Sequence, residues 1–243
     1  MLNEMFSDHF AQRVNYLTEV DTRVKMIFVV AAIIIVVSSR HPYVPLIVFF
    51  LSLVFLLGIR IPPRIILLRL AAPLGIVGAI FFMQIFFYGM AEGLAHGALI
   101  MAKVLGAVSL IIFLSMTTPV NKLLNAARWL KVPNTWVEIA MLSYRYSFVL
   151  LEDAITIRSA QKVRLGYSSL ARSLRSFGEL MGSTVIRTYD RSIAIYESMM
   201  LRGYNGTMQN IAWEEGFRIK DTVVIIIFLI ILGSLLVLNT LLH

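Results

Sequence analysis

Ala160-Gln161-Lys162-Val163-Arg164-Leu165-Gly166-Tyr167 and Ser198-Met199-Met200-Leu201-Arg202-Gly203-Tyr204 lie within a polar, Arg-rich stretch, 152–206, set between hydrophobic segments long enough to span a bilayer. At roughly fifty residues this stretch is too long for a connector. Each sequence puts an Arg at the end of a helical pattern, with Gly and Tyr soon after. Gly is favoured just past a helix C-terminus, where the backbone turns left-handed. Cations are favoured in the last turn, at the negative end of the dipole. Arg164 and Arg202 are therefore predicted to cap helix ends as exposed positive knobs suited to acidic grooves on a partner, with Gly166 and Gly203 completing the caps. On spacing alone, ordinary cytoplasmic arginines at helix ends account for the pattern equally well.

Composition sets the class around this stretch. Hydrophobic residues make up 58% of the 243 and charged residues only 15%, with a mean hydropathy of +0.80; this is an integral membrane composition. The net charge of +8 does not point to nucleic acid, because the basic residues cluster between hydrophobic segments, where cytoplasmic loops are Lys/Arg-rich. Without Cys, disulfides and thiolate metal sites are excluded. Glu4 and Asp8 precede any basic residue and no small-residue cleavage site follows the first apolar run, so no removable signal peptide is expected.

In chain order, Phe6, Phe10, Val14 and Leu17 recur at helical spacing and predict an interfacial amphipathic helix. Asp21-Thr22-Arg23-Val24-Lys25 leads into a short first span, 24–39, in which Lys25 must snorkel. Further spans are predicted at 43–59, 70–90, 97–116 and 221–242, with Gln84 and Lys103 as the polar residues inside them. Thr117-Thr118-Pro119 signals a helix start, with Thr118 as N-cap and Pro119 at the first helical position. An amphipathic helix too short to span follows, broken at Lys131-Val132-Pro133. A longer pattern runs from Asn134 towards Gly166, and another, after Ser168 or Ser169, carries apolar residues from 170 to 200. That last helix would be roughly 50 Å long.

Charge decides the topology. Arg23 and Lys25, then Arg60, Arg64 and Arg69, then Lys122, Arg128 and Lys131 fit a cytoplasmic N-terminus, and the outer loop at 91–96 has no Lys or Arg. Were 134–151 a sixth span, the ten Lys/Arg of 152–220 would lie outside and Arg145 would sit in lipid at about 2.5–3.5 kcal/mol. The reading is an all-α integral membrane protein with about five transmembrane helices and a large cytoplasmic insertion of long amphipathic coupling helices. It divides as 1–117, 118–218 and 219–243.

No catalytic constellation is expected. His9, His41, His96 and His243 are dispersed, so no metal site built by this chain is expected. The phosphate-binding signature G-x-x-x-x-G-K-[ST] is absent, so the chain should not itself hydrolyse ATP. Glu152-Asp153 and Glu214-Glu215 read as solvated faces. Gly178 and Gly182, four apart in a helical pattern, each cost up to about 1 kcal/mol against Ala. Because small residues let helix backbones approach, the second long helix is predicted to cross the first there; a tolerated flexible spot is the alternative.

At these residues the chain resembles the transmembrane (T) component of energy-coupling factor ABC transporters, the CbiQ-type subunit of cobalt importers. The matching pieces are Asp21 to Lys25, Thr117-Thr118-Pro119, Pro133, Tyr144-Arg145-Tyr146, Ala160-Gln161, Arg164-Leu165-Gly166-Tyr167 and Leu201-Arg202-Gly203-Tyr204-Asn205-Gly206. The chain departs from the family pattern with Val163 and Leu201 where Ala is common, and with Leu165 between Arg164 and Gly166. The resemblance implies a non-catalytic scaffold in a bacterial inner membrane whose Arg164 and Arg202 dock into two ATP-binding cassette ATPase subunits. ATP and Mg would be bound by those ATPases. Cobalt, or nickel, would be held by a membrane substrate-binding subunit of CbiM type, with or without a small CbiN-type subunit. The competing class is a self-contained secondary transporter or channel, which would need polar residues near mid-membrane on several spans; only Gln84 and Lys103 qualify.

Overall fold

The computed structural model describes residues 20–58, 63–206 and 219–241, and all regular structure among them is helical. The amphipathic pattern carried by Phe6, Phe10, Val14 and Leu17, His9, Arg60, the acidic pair at 214–215 and His243 lie outside the described residues. The helices are α1 (Thr22–Ser38), α2 (Tyr43–Gly58), α3 (Pro63–Met90), α4 (Glu92–Thr117), α5 (Val120–Trp129), α6 (Asn134–Val163), α7 (Leu170–Leu201) and α8 (Ile219–Leu241). Three of them, α3, α4 and the 222–240 part of α8, are long and apolar enough to cross a membrane. The α1 and α2 helices have 17 and 16 residues. At about 1.5 Å per residue they fall short of a hydrocarbon core of about 30 Å. The α6 helix, whose first half tempts a sixth span, is not among the spanning helices.

Local chemistry sets the helix ends. Asp21 Oδ1 accepts from Arg23 N at 2.8 Å and starts α1; Ser39, in extended conformation, ends it. Pro63 opens α3, a position where its missing N–H costs nothing. The span therefore begins well before 70 and takes in Arg64 and Arg69. The predicted outer loop at 91–96 is not a loop. The chain turns at Gly89 (φ 79°, ψ 173°) and is helical again from Glu92. The hairpin is tight: a Cβ on Gly93 would lie 2.6 Å from Gln84 O, and one on Gly97 would lie 2.7 Å from the Phe81 ring. The Thr118 cap shifts by one residue. Pro119 O accepts from Lys122 N and Leu123 N, so Pro119 holds the cap position, and Thr118 Oγ1 is buried without a hydrogen-bond partner among the described residues.

The described residues form two compact units, one containing α1 to α4, the start of α5 and α8, the other running from Ala127 through α7. The two units part inside α5, between Ala126 and Ala127. In the first unit, α1, α2, the start of α3, α4 and α8 share an apolar core in which Phe28 stacks on Phe228 with centroids 4.0 Å apart. Lys25, expected to snorkel, and Lys103, the lysine inside the fourth predicted span, are both tied into this unit. Lys25 is 1% exposed, and its Nζ donates to Thr117 O, at the end of α4, at 3.4 Å. Lys103 Nζ donates to Val37 O, at the end of α1, at 2.8 Å. In this antiparallel pair each lysine meets the carbonyl end of the other helix, the end that favours a cation.

In the second unit, α5 and α6 are joined across the Lys131 to Pro133 break by an ion pair, Arg128 Nη2 to Glu138 Oε1, at 3.6 Å with the Glu138 side chain buried. The α6 and α7 helices run antiparallel. Asp153 Oδ2 pairs with Arg191 Nη1 at 3.2 Å, so Asp153 is a helix-to-helix contact rather than part of a solvated face. Ser176 and Leu180 are the buried positions of α7. The predicted crossing at Gly178 and Gly182 is corrected here: both are exposed, and a Cβ on either would meet no atom within 4 Å. Two residues along a helix is about 200° of rotation, which turns both glycines away from the face that Ser176 and Leu180 present to α6.

Candidate functional site

The two Arg motifs sit at the C-terminal ends of α6 and α7, and both ends have one hydrogen-bond pattern. At the first, Gly166 N donates to Gln161 O at 2.9 Å and Leu165 N donates to Lys162 O at 3.1 Å. At the second, Tyr204 N donates to Met199 O at 3.0 Å and Gly203 N donates to Met200 O at 3.0 Å. Each is a Schellman cap, which satisfies carbonyls that the last turn leaves orphaned. Arg164 and Arg202 are the C-cap residues. They are therefore equivalent positions, although the sequence around them is out of register by one.

That offset separates the roles of the two glycines. The left-handed position after Arg202 is filled by Gly203, φ 81°. After Arg164 it is filled by Leu165, φ 57°, so Gly166 does not take the left-handed conformation expected of it. A left-handed Leu costs about 1–2 kcal/mol. Gly166 is needed for space instead: a Cβ there would lie 2.6 Å from Ser176 Oγ and 2.9 Å from Gln161 O.

Side chains hold the strained first cap in place. Gln161 Nε2 donates to Ser176 O at 2.9 Å, Tyr167 OH donates to Gln161 Oε1 at 2.8 Å, and Ser176 Oγ donates to Gly166 O at 3.0 Å. Arg158 Cζ lies 6.0 Å from the centroid of the Tyr167 ring. Gln161 and Tyr167 entered the sequence reading only as pieces of the motif, with no contact assigned to either, and Ser176 did not enter it. A polar Ser on the packed face of an amphipathic helix is the one signal that marks them. Around Gly203, by contrast, a Cβ would meet nothing within 4 Å.

Both guanidinium groups are exposed and make no ion pair among the described residues. Beside them stand aliphatic side chains left in the open: Val163 is 86% exposed, Leu165 66% and Leu201 90%. The two arginines cap opposite ends of the hairpin, because Arg164 adjoins the start of α7 and Arg202 its end. At about 1.5 Å per residue, the 32 residues of α7 separate them by about 48 Å along its axis. Gly178 and Gly182 lie between, on the exposed side of α7. Among the described residues no group of three or more His, Asp or Glu could hold a metal ion.

A family model described as cobalt transport protein, CbiQ, matches residues 13–211. An uncharacterised protein of Methanocaldococcus jannaschii is 33% identical over 241 residues, covering 91% of this chain and 90% of its own length. A putative fused cobalt transport protein CbiMQ of Methanocorpusculum labreanum is 31% identical over 237 residues, covering 87% of this chain and 39% of the fusion. The cobalt transport protein CbiQ of Rhodobacter capsulatus is 31% identical over 159 residues, 63% of this chain and 65% of the relative.

Proposed function

The chain belongs to the CbiQ cobalt transport protein family, a membrane component of cobalt transport, and on that premise we propose that it is the coupling (T) subunit of an ATP-driven cobalt importer. In this reading it catalyses nothing itself. Two ATP-binding cassette ATPases, which bind ATP and Mg, work from the cytoplasmic side, and a CbiM-type membrane subunit holds the cobalt. The fused relative, whose printed name joins the M and Q components, supports a CbiM-type neighbour. The Lys/Arg distribution supports a cytoplasmic N-terminus.

The observation that carries the proposal is the pair of equivalent arginine caps at opposite ends of the α6–α7 hairpin. Each presents an exposed cation flanked by exposed aliphatic side chains, so each fits a groove with a carboxylate at its floor and apolar walls. Spacing of about 48 Å suits two separate grooves, one on each ATPase. Once an arginine enters such a groove, removing it leaves a buried carboxylate unpaired, at a cost of about 2–5 kcal/mol. At about 1.4 kcal/mol per tenfold, either loss weakens docking by more than twentyfold. A surface arginine without a partner contributes only about 0–1 kcal/mol.

The test is ATPase pull-down and cobalt uptake with Arg164→Glu, Arg202→Glu, the double variant, and Arg187→Glu as an exposed mid-helix control. Each single variant should be impaired, and the double variant should lose ATP-driven uptake while still inserting in the membrane. If both single variants bind ATPase as the control does, the arginines are topology determinants only and the coupling role falls.

A further inference from the structure

We propose that Gln161 is a positioning residue for Arg164, which fixes the first arginine knob before a partner arrives. This inference rests on the docking reading above and refines it. Gln161 sits one turn before the first cap and reaches both ways out of it. Its amide nitrogen donates to Ser176 O on α7 at 2.9 Å, and its amide oxygen accepts from Tyr167 OH at 2.8 Å. Its own carbonyl accepts from Gly166 N at 2.9 Å. Ser176 closes the ring by donating to Gly166 O at 3.0 Å. The loop that begins at Arg164 is thus pinned to α7 on the far side of the turn, about fifteen residues away in sequence.

The backbone explains why the first cap calls for such a brace. Leu165 occupies the left-handed region at φ 57°, and a non-glycine residue stays there when its surroundings over-determine it. Gly203 takes the corresponding conformation at φ 81° without steric cost. A Cβ built on Gly203 would meet no atom within 4 Å, so neither backbone strain nor crowding has to be offset there. A knob already ordered loses less freedom on binding than one that must be ordered by the partner. The first knob therefore meets the ATPase with its orientation already set.

The chain has no Cys, so a single nitroxide label reports each knob without altering the arginines. Labels are placed at Val163→Cys or Leu201→Cys in the full-length, detergent-solubilised chain, with and without Gln161→Ala. The label at 163 should gain mobility with Gln161→Ala, while the label at 201 keeps its line shape. An unchanged spectrum at 163, or equal loosening at both sites, overturns the brace.

The second arm measures binding of the purified ATP-binding cassette ATPase of the same transporter. Loss of hydrogen bonds of ordinary strength predicts that Gln161→Ala weakens binding about three- to tenfold when Arg202→Glu leaves only the first knob. In an Arg164→Glu background Gln161→Ala should change nothing, because it acts only through Arg164. The same loss in both backgrounds means that Gln161 is merely structural and overturns the positioning role. If neither Arg164→Glu nor Arg202→Glu weakens binding, the docking reading itself fails and this refinement falls with it. The spectra, which need no ATPase, separate that failure from failure of the brace.

Discussion

Gly166 and Gly203 look interchangeable in the sequence but are required for different reasons, and substitution separates them. At Gly203 the constraint is backbone conformation alone: φ is 81° and no atom lies within 4 Å of a new Cβ. Gly203→Ala should cost about 1 kcal/mol, and Gly203→Asn less, because Asn visits the left-handed region more readily. At Gly166 the constraint is space. A Cβ there would meet Ser176 Oγ at 2.6 Å and the fixed Gln161 carbonyl at 2.9 Å. The Ser176 hydroxyl could rotate away only by giving up its 3.0 Å bond to Gly166 O. A lost hydrogen bond of about 1 kcal/mol together with overpacking of about 1–3 kcal/mol puts Gly166→Ala at about 2–4 kcal/mol, with no relief from Asn. Hydrogen exchange at the amides that close the caps reads these values locally. Exchange at position 204 should quicken about fivefold in Gly203→Ala, and at position 166 about thirtyfold or more in Gly166→Ala. In a Ser176→Ala background Gly166→Ala should cost less than the sum, since the nearest clash is gone. The assignment is refuted if Asn rescues position 166 but not 203, or if the two alanine variants exchange alike.

Three further predictions follow from the packing. Glu138→Ala leaves Arg128 facing a mostly buried site without its carboxylate, so the second unit should lose about 2 kcal/mol or more, measured by chemical unfolding, whereas an exposed pair such as Arg175 and Glu179 should cost under about 1 kcal/mol to break. Gly93→Ala drives a Cβ into the α3 backbone at 2.6–2.7 Å and should lower the thermal midpoint of the purified protein, while equal midpoints would deny the tight hairpin. Gly178→Ala with Gly182→Ala, in open space on a helix, should stabilise the chain by up to about 1 kcal/mol per site; a fall in cobalt uptake alongside that gain would show that a partner covers this face.

Much of the helical layout was legible because its signals are local. Pro133 and Ser169 mark the starts of α6 and α7, and the Ser169 side chain accepts from Arg172 N as an N-cap should. Apolar runs at 24–39 and 43–59 found α1 and α2 within two residues of their ends. What stayed hidden was settled between residues far apart in sequence. Lys25 and Thr117 are 92 residues apart, and Lys103 and Val37 are 66 apart. From hydropathy alone each lysine is a charge that must snorkel; only the antiparallel pairing of α1 with α4 brings a helix C-terminus within its reach. The Gly178 and Gly182 spacing misled for the same reason. Spacing shows that a close approach is possible on that face, not that the preceding helix comes to it.

The first arginine motif shows how a cap can be read correctly in place and wrongly in detail. A Gly after an Arg at the end of a helical pattern predicts that Gly takes the left-handed turn, and Gly203 does so. In the first motif the hydrogen bonds count from the carbonyls of Gln161 and Lys162, and that count assigns the turn to Leu165. Glycine one place later is then explained by Ser176, which belongs to the next helix. The two motifs are thus one backbone device built with opposite allocations of strain and space. Where glycine takes the turn, the left-handed conformation carries no steric cost. Where leucine takes it, Gln161, Tyr167 and Ser176 hold it in place through side-chain hydrogen bonds that reach into the next helix.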